Sequence, residues 1–149
     1  MREIKFRGVE KDKSHKRTNW VYGLLTNDIF GDYYIEFYEK GDTGQDKIQQ
    51  IKVIPETVGQ LAGPPDINDK EIYEGDILDF TVFDCLDNDK QYRGCVVYCG
   101  SRFMLWNKPN DEFYGSDGGF ELDEVNGQGG SEVIGNIYEN VKWSDSKVK

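Results

Sequence analysis

Short segments of β-prone residues, separated by turn residues, recur along the whole 149-residue chain and constrain its fold more than any other feature. In IKFRG the apolar residues Ile4 and Phe6 alternate with Lys5 and Arg7. This two-residue period is typical of a strand with one buried face, because successive side chains point to opposite sides. Comparable segments predict further strands over NWVYGLL, YYIEFY, IQQIKVI, KEIY, DILDFTVF, YRGCVVY, RFMLW, GFEL and EVIGNIY.

These segments predict a mainly β protein with little helix. Nearly every residue of YYIEFY is aromatic or β-branched, which indicates a strand that contacts apolar surface on both sides. No amphipathic helix is evident, and only one helical turn is expected, over PETV. The composition, with 17 Gly, 9 Tyr and 8 Phe, fits a pleated and turn-rich structure.

The segment GPPDIND, residues 63–69, predicts a boundary inside the chain, because it holds two consecutive prolines and several turn-forming residues. Residues 1–62 are expected to form an N-terminal β-sheet lobe. Residues 63–141 contain five or six short strands, which is typical of a small barrel or a tight sandwich. Residues 142–149 are expected to be a frayed tail. One continuous domain over both lobes is the alternative.

The sequence predicts a cytoplasmic protein without a membrane segment. No apolar run reaches the roughly 18 residues needed to span a bilayer, and the first residues, MREIKFRG, lack the apolar stretch of a secretory signal. The three cysteines are expected to be free thiols. Cys95 and Cys99 would lie about 13 Å apart on a strand, too far for a disulfide or a shared metal ion. No cofactor or metal site is therefore expected.

The net charge of −10 is unevenly distributed along the chain. Residues 1–20 hold seven Lys/Arg against three Asp/Glu, whereas the remaining residues hold 11 against 25. This excess of acid disfavours general binding to duplex nucleic acid, because phosphate contacts by Lys and Arg supply most of the non-specific affinity. Single-stranded nucleic acid could still contact the basic loop, and the acidic surface could instead mimic DNA. The basic residues of that loop are Lys11, Lys13, Lys16 and Arg17.

Glu74 and Asp76, in KEIYEGDILDF, are the acids most suited to catalysis, and they have two interpretations. As a catalytic pair, their carboxylates would have to converge where the chain bends. As a structural corner, Gly75 permits a positive φ and Asp76 accepts backbone N–H groups, while Tyr73 and Ile77 enter the core. The only histidine, His15, lies in a charged loop and not in a cluster that could make a catalytic triad. We favour the corner and expect the protein not to be an enzyme.

Five motifs in the same order resemble the YopX family of phage and prophage proteins: IKFRG, WVYG, VIPETVGQ, KEIYEGDIL and EVIGNIYEN. The likeness covers residues 4–140. It implies a mostly β protein with a small SH3-like barrel, and it supplies no catalytic residues. It also implies that residues 55–60, 71–77 and 133–140 determine the fold. One departure concerns the loop before KEIYEGD, because AGPPDIND contains two prolines and has Asp69 where the family has a glycine.

We expect a non-catalytic module that binds a host or phage protein, because small barrels leave strand edges and aromatic loop residues exposed. Trp106, Phe113 and Tyr114, around NKPNDEFYG, are the candidate anchors, although the same aromatic residues could complete the core. Binding of single-stranded nucleic acid, or mimicry of DNA, is the alternative function. The third hypothesis is an enzyme that uses Glu74 and Asp76 with a borrowed metal ion. A homo-oligomer is compatible with the sequence.

Overall fold

The computed structural model describes residues 3–11, 18–83, 86, 89–106 and 119–139. Of these residues, 54% lie in strands and 9% in helices, which confirms the mainly β class. The chain divides into two units, Met1–Leu61 and Ala62–Lys149, and each contains one antiparallel sheet of five strands. No helix within the described residues is long and apolar enough to cross a membrane.

The strands of the first unit are β1 (Phe6–Val9), β2 (Trp20–Asn27), β3 (Tyr33–Glu39), β4 (Lys47–Val53) and β5 (Gly59–Gln60). They pair in the order β4-β3-β2-β1-β5. One face of the sheet supplies the buried side chains Ile35 and Val53. On the opposite face of β3, Tyr38 is exposed. The expectation of apolar contacts on both faces of YYIEFY is therefore wrong at this end of the strand.

The first sheet curls so that the chain just after β1 also contacts the end of β4. Glu10 forms an isolated bridge with Val53. The N–H of Lys11 donates to the carbonyl of Lys52 at 2.8 Å. A Cβ at Gly8 would lie 3.0 Å from the Cβ of Val53, so this approach leaves little room for a side chain on β1.

The helical turn expected over PETV is present as a 3-10 helix, Pro55–Thr57. Thr57 connects this 3-10 helix to β1. Its hydroxyl donates to the carbonyl of Ile54 at 2.6 Å and accepts the N–H of Val9 at 2.9 Å. These bonds place the start of β5 beside β1.

The second unit contains β6 (Asp76–Val82), β7 (Lys90–Cys99), β8 (Arg102–Trp106), β9 (Gly119–Glu121), α1 (Leu122–Gln128) and β10 (Ser131–Asn136). The strands pair antiparallel in the order β10-β6-β7-β8-β9. One face of the sheet and α1 enclose a buried cluster of Ala62, Ile72, Leu78, Phe80, Val96, Phe103, Leu105, Leu122 and Val125. Ile77 and Cys95 form a smaller buried pair on the other face.

Three expectations from the sequence differ from the structure. Neither sheet is closed within the described residues, so the SH3-like barrel is not confirmed. KEIY forms no strand of its own, because the chain turns at residues 73–76 before β6 begins. Helix α1 is absent from the sequence prediction because it is short and because Asn126 and Gly127 have low helix propensity. Packing of its apolar residues against the sheet stabilises it instead.

Gly23, in the middle of β2, should not tolerate a side chain. A Cβ there would lie 2.0 Å from the carbonyl oxygen of Glu36 on β3, and no side-chain rotation relieves that overlap. We expect Gly23→Ala to lower the free energy of unfolding of the first unit by about 1–3 kcal/mol, measured by urea denaturation. The control is Gly127→Ala, because a Cβ at Gly127 meets open space and should raise stability by about 0.5 kcal/mol. If Gly23→Ala were as stable as the wild type, the close pairing of β2 with β3 would be contradicted.

Candidate functional site

The corner before β6 is built on the carboxylate of Asp76, a residue that is only 1% exposed. Its Oδ2 accepts the N–H of Tyr73 at 2.8 Å, and its own N–H donates to the carbonyl of Tyr73 at 3.0 Å. Gly75 has a φ of 87°, which permits the sharp turn. Tyr73 and Ile77 are buried on either side. The structural interpretation of the segment around Glu74 and Asp76 is therefore confirmed in its geometry.

The same corner brings the motifs KEIYEGDIL and EVIGNIYEN together. β6 and β10 are neighbours, with Asp76 opposite Asn136. The N–H of Ile137 donates to the carbonyl of Gly75 at 2.9 Å, and the N–H of Gly75 donates to the carbonyl of Val96 at 2.9 Å. The two motifs thus contact each other through the backbone.

A second buried carboxylate, Asp66, organises the proline-containing loop. Its Oδ1 accepts the N–H groups of Asn68 and Lys70, both at 2.9 Å. Its Oδ2 accepts the N–H of Val133 on β10, also at 2.9 Å. Asp69 has a φ of 64°, so it adopts the left-handed conformation where the family resemblance implies a glycine. The loop is a defined turn that is bound to β10.

These hydrogen bonds lower the pKa of Asp66. Burial of the carboxyl group would by itself raise the pKa, because it disfavours the charged form. The N–H groups of Val133, Lys70 and Asn68, together with the positive charge of Lys70, outweigh that effect. The folded chain therefore holds Asp66 ionised more strongly than the unfolded chain does.

An open groove of about 550 Å³ lies between this loop and α1. Its lining residues are Pro64, Pro65, Asp66, Ile67, Asp123, Asn126, Gly127, Gly129 and Gly130. Asn126 accepts a hydrogen bond from the hydroxyl of Ser131 at 3.1 Å, whereas its buried Nδ2 has no hydrogen-bond partner. The lining residues include two acids and no Lys or Arg, so the groove does not suit an anionic ligand.

The described part of the chain holds two of the seven predicted interaction residues. Lys11 is exposed just beyond β1. Trp106 is half-buried at the end of β8, opposite Cys95 and Gly119. Outside the described residues lie Lys13, Lys16, Arg17, Phe113 and Tyr114, as well as the predicted tail at 142–149. The roles assigned to all seven residues stay predictions.

Cys95 and Cys99 are free thiols, and Cys95 is buried. In the ranges that the structure describes, no three His, Cys, Asp or Glu side chains are placed to share a metal ion. The acids at the corner and in the proline-containing loop instead accept backbone N–H groups. The described residues also expose apolar surface that can contact another protein.

The outer face of the first sheet, opposite the face of Ile35, carries four exposed apolar side chains that we call the apolar stripe. Tyr22 and Leu24 on β2, Tyr38 on β3 and Ile48 on β4 are 42%, 56%, 62% and 74% exposed. Tyr38 lies directly opposite Ile48. Leu24 lies opposite Glu36, which is two residues before Tyr38 on β3, so Leu24 and Tyr38 are diagonal neighbours. The stripe therefore crosses three adjacent strands. Alternation along each strand does not by itself reveal the apolar stripe, because it does not show which face is covered.

A polar band borders the apolar stripe on the side of the turn between β2 and β3. The amide of Gln50 donates to the carboxylate of Glu36 at 3.1 Å and to the hydroxyl of Thr26 at 3.5 Å. At the other side, the hydroxyl of Tyr38 donates to the carboxylate of Asp46. This bond favours the protonated phenol and raises the pKa of Tyr38. An apolar centre with polar groups at its borders resembles the usual anatomy of a protein interface.

A comparison with protein families gave a match over nearly the whole chain. The family model described as YopX protein matches residues 5–143. A search of the curated proteins found no match.

Replacing Asp76 should destabilise the second unit. Asp76→Ala removes the acceptor of the Tyr73 N–H at a buried site, and an unsatisfied buried donor costs about 1–3 kcal/mol. The half-exposed Glu74 provides the control, because Glu74→Gln should change stability by less than about 0.5 kcal/mol. Urea denaturation of both variants measures the difference. Unchanged stability of Asp76→Ala would show that its carboxylate does not hold the corner.

Asp66 should make stability depend on pH in the acid range. Since its pKa is lower in the folded chain, its stabilising contribution is present above the unfolded pKa of about 4 and is lost as the pH falls through the folded pKa. Asp66→Asn should lower the Tm at neutral pH and flatten the decline of Tm below about pH 4. Asp69→Asn, at an exposed acid in the same turn, is the control. An equally steep acid decline in Asp66→Asn and wild type would contradict this assignment.

Proposed function

The chain belongs to the YopX family, and we propose that it is a phage- or prophage-encoded accessory protein that acts in the bacterial cytoplasm as a non-catalytic protein-interaction module. The partner is a protein of the host or of the phage. The observation that carries this proposal is the apolar stripe on the outer face of the first sheet. The family match supports the phage origin.

The apolar stripe is more apolar than a solvent-facing sheet surface needs to be. An antiparallel sheet with one buried face normally presents polar side chains on the other. Here Leu24 and Ile48 are more than half exposed, although nothing in the pairing of β2, β3 and β4 requires apolar residues at these positions. Contiguous exposed apolar side chains bordered by polar groups are typical of surfaces that bind another protein.

Of the two acids most suited to catalysis, Asp76 has a structural explanation. Asp76 is buried and accepts a backbone N–H at the corner, and Glu74 lies in the same turn. The placement of Asp76 therefore supports a binding module more than an enzyme that uses this pair of acids. Tyr22 and Tyr38 fit this function, because tyrosine supplies large contact area with little loss of side-chain freedom on binding.

The charge of the two units suggests how binding at the apolar stripe responds to salt. Residues 1–61 contain ten Lys/Arg and ten Asp/Glu, whereas residues 62–149 contain eight Lys/Arg and 18 Asp/Glu, a net charge of −10. The stripe lies in the neutral unit, so partner binding there should depend on apolar burial and only weakly on ionic strength.

The acidity of residues 62–149 favours a second candidate function, mimicry of DNA. A unit with a net charge of −10 could occupy the basic DNA-binding surface of a host enzyme. DNA would then compete with this protein for that enzyme, and the competition would weaken steeply as salt increases. Partner binding that is unaffected by added DNA and by salt concentration would instead support the protein-interaction module.

Polar replacement of the apolar stripe should abolish partner capture without unfolding the protein. The double variant Leu24→Thr, Ile48→Thr keeps strand propensity but removes exposed apolar area, so we expect binding to weaken about tenfold or more. Binding is measured as saturable capture from a lysate of the bacterium that carries the phage or prophage. Thermal unfolding should remain near that of the wild type.

The matched control is Ile67→Thr, at an exposed isoleucine in the second unit. It should bind like the wild type. Failure of the wild-type protein to capture any saturable partner would contradict the interaction function. Equal capture by the double variant and the wild type would contradict the role of the apolar stripe.

A further inference from the structure

The turn between β2 and β3 presents the two most exposed large apolar side chains of the described residues. Ile29 is 93% exposed and Phe30 is 83% exposed. They are consecutive, and they lie between Asp28 and the sequence Gly31-Asp32. We call residues 28–32 the hairpin tip. Tight turns favour Gly, Asn, Asp or Pro, so the backbone conformation gives no reason for Ile and Phe at these two positions.

The carboxylate of Asp28 defines the conformation of the hairpin tip, because it binds the backbone at Phe30 and, beyond the apolar pair, at Asp32. Its Oδ1 accepts the N–H groups of Phe30 at 2.9 Å and Asp32 at 3.0 Å. Its Oδ2 accepts the hydroxyl of Tyr34 at 3.0 Å. Backbone bonds connect Gly31 N–H to the carbonyl of Asp28 at 3.2 Å and Asp28 N–H to the carbonyl of Asp32 at 3.1 Å. A partner would therefore meet a preformed loop and would lose little entropy in ordering it.

The hairpin tip is separate from the apolar stripe. Strand β3 places Tyr33, next to the tip, about 17 Å from Tyr38 of the stripe. The polar band of Glu36, Gln50 and Thr26 lies between them. Ile29 and Phe30 therefore form a surface of their own and do not belong to the margin of the apolar stripe.

Acidic groups surround the apolar pair. Desolvation acts to raise the pKa of Asp28, but hydrogen bonds from Asp32 N–H, the Tyr34 hydroxyl and Phe30 N–H lower it by more, so Asp28 is ionised at neutral pH. Lys52 forms an ion pair with Asp32 at 2.9 Å, and this bond raises the pKa of Lys52. The two acids and one lysine leave a net negative charge. Such a tip is repelled by anionic phospholipid and attracted by basic side chains.

We propose that the hairpin tip inserts Ile29 and Phe30 into an apolar pocket with Lys or Arg at its rim on the partner protein. The proposal rests on the proposed interaction function, and it adds a second contact, with its own chemistry, to the apolar stripe. Two adjacent apolar side chains on a preformed loop are suited to act as a binding hot spot, because they can be fully desolvated in one pocket. Asp28 and Asp32 would then face the basic rim.

The test places a photoreactive residue at the hairpin tip of the full chain. Phe30→p-benzoylphenylalanine is expressed in the bacterium that carries the phage or prophage and is irradiated in the cell. The matched control is Asp42→p-benzoylphenylalanine, at an exposed position in the turn between β3 and β4. We expect position 30, and not position 42, to cross-link to the protein that the wild type captures. The cross-linked peptide should contain apolar residues next to Lys or Arg.

The partner that the cross-link identifies is then purified on its own, and the affinity of each variant for it measures the contribution of the hairpin tip. The double variant Ile29→Ser, Phe30→Ser should bind about tenfold or more weakly at an unchanged Tm, because both side chains are exposed. Asp32→Asn should bind more weakly at low salt and show less salt dependence.

The possible failures are distinguishable. If the double variant Ile29→Ser, Phe30→Ser binds like the wild type while the double variant Leu24→Thr, Ile48→Thr loses binding, the proposal for the hairpin tip is overturned. The interaction function then stands. No saturable partner for the wild type would overturn both. Cross-links confined to a second copy of the chain would overturn the tip proposal. Binding of the wild type to vesicles of phosphatidylcholine and phosphatidylglycerol, lost in the serine variant, would assign the tip to a membrane instead and also overturn it.

Discussion

The buried carboxylate of Asp76 is the interaction on which the second unit depends. A buried acid is costly unless its oxygens accept hydrogen bonds, and here the N–H of Tyr73 satisfies one of them. The turn that results starts β6, which lies between β10 and β7 in the sheet. Asp66 acts similarly on the other side of β10, since it accepts the N–H of Val133. Two local turns are thereby bound to a strand that follows about sixty residues later, which links the sheet order to two acidic side chains.

Much of the strand content could be predicted from the sequence, because alternation and turn residues are local signals. DILDFTVF and RFMLW correspond closely to β6 and β8. Helix α1 could not be predicted this way, since its stability comes from Leu122 and Val125 packing against a sheet assembled from distant segments. The burial of Asp66 could not be predicted either. GPPDIND has the composition of a boundary loop, and only the position of β10 shows that one of its acids is enclosed.

The apolar stripe could not be predicted from the alternation of residues along single strands. Alternation in NWVYGLL shows that two faces differ, but Tyr22 and Leu24 proved to be on the exposed face while the neighbouring Leu25 is half-buried. Which face is covered depends on how β1 and β4 meet, and that contact is non-local. The hairpin tip did leave a signal in the sequence. Ile29 and Phe30 stand between Asp28 and Gly31, where turn chemistry would favour small or polar residues.

The hydrogen bonds by which Asp28 shapes the hairpin tip arise within residues 28–34, and Lys52 on β4 adds an ion pair to Asp32. The conformation of the hairpin tip therefore depends mainly on contacts close in the sequence. A loop of this kind is portable: it could be grafted onto another β-hairpin, or closed into a short cyclic peptide, and would present the same two side chains. Over evolution, Ile29 and Phe30 could be exchanged without refolding the sheet, so that proteins sharing this scaffold could diverge in the partners they recognise.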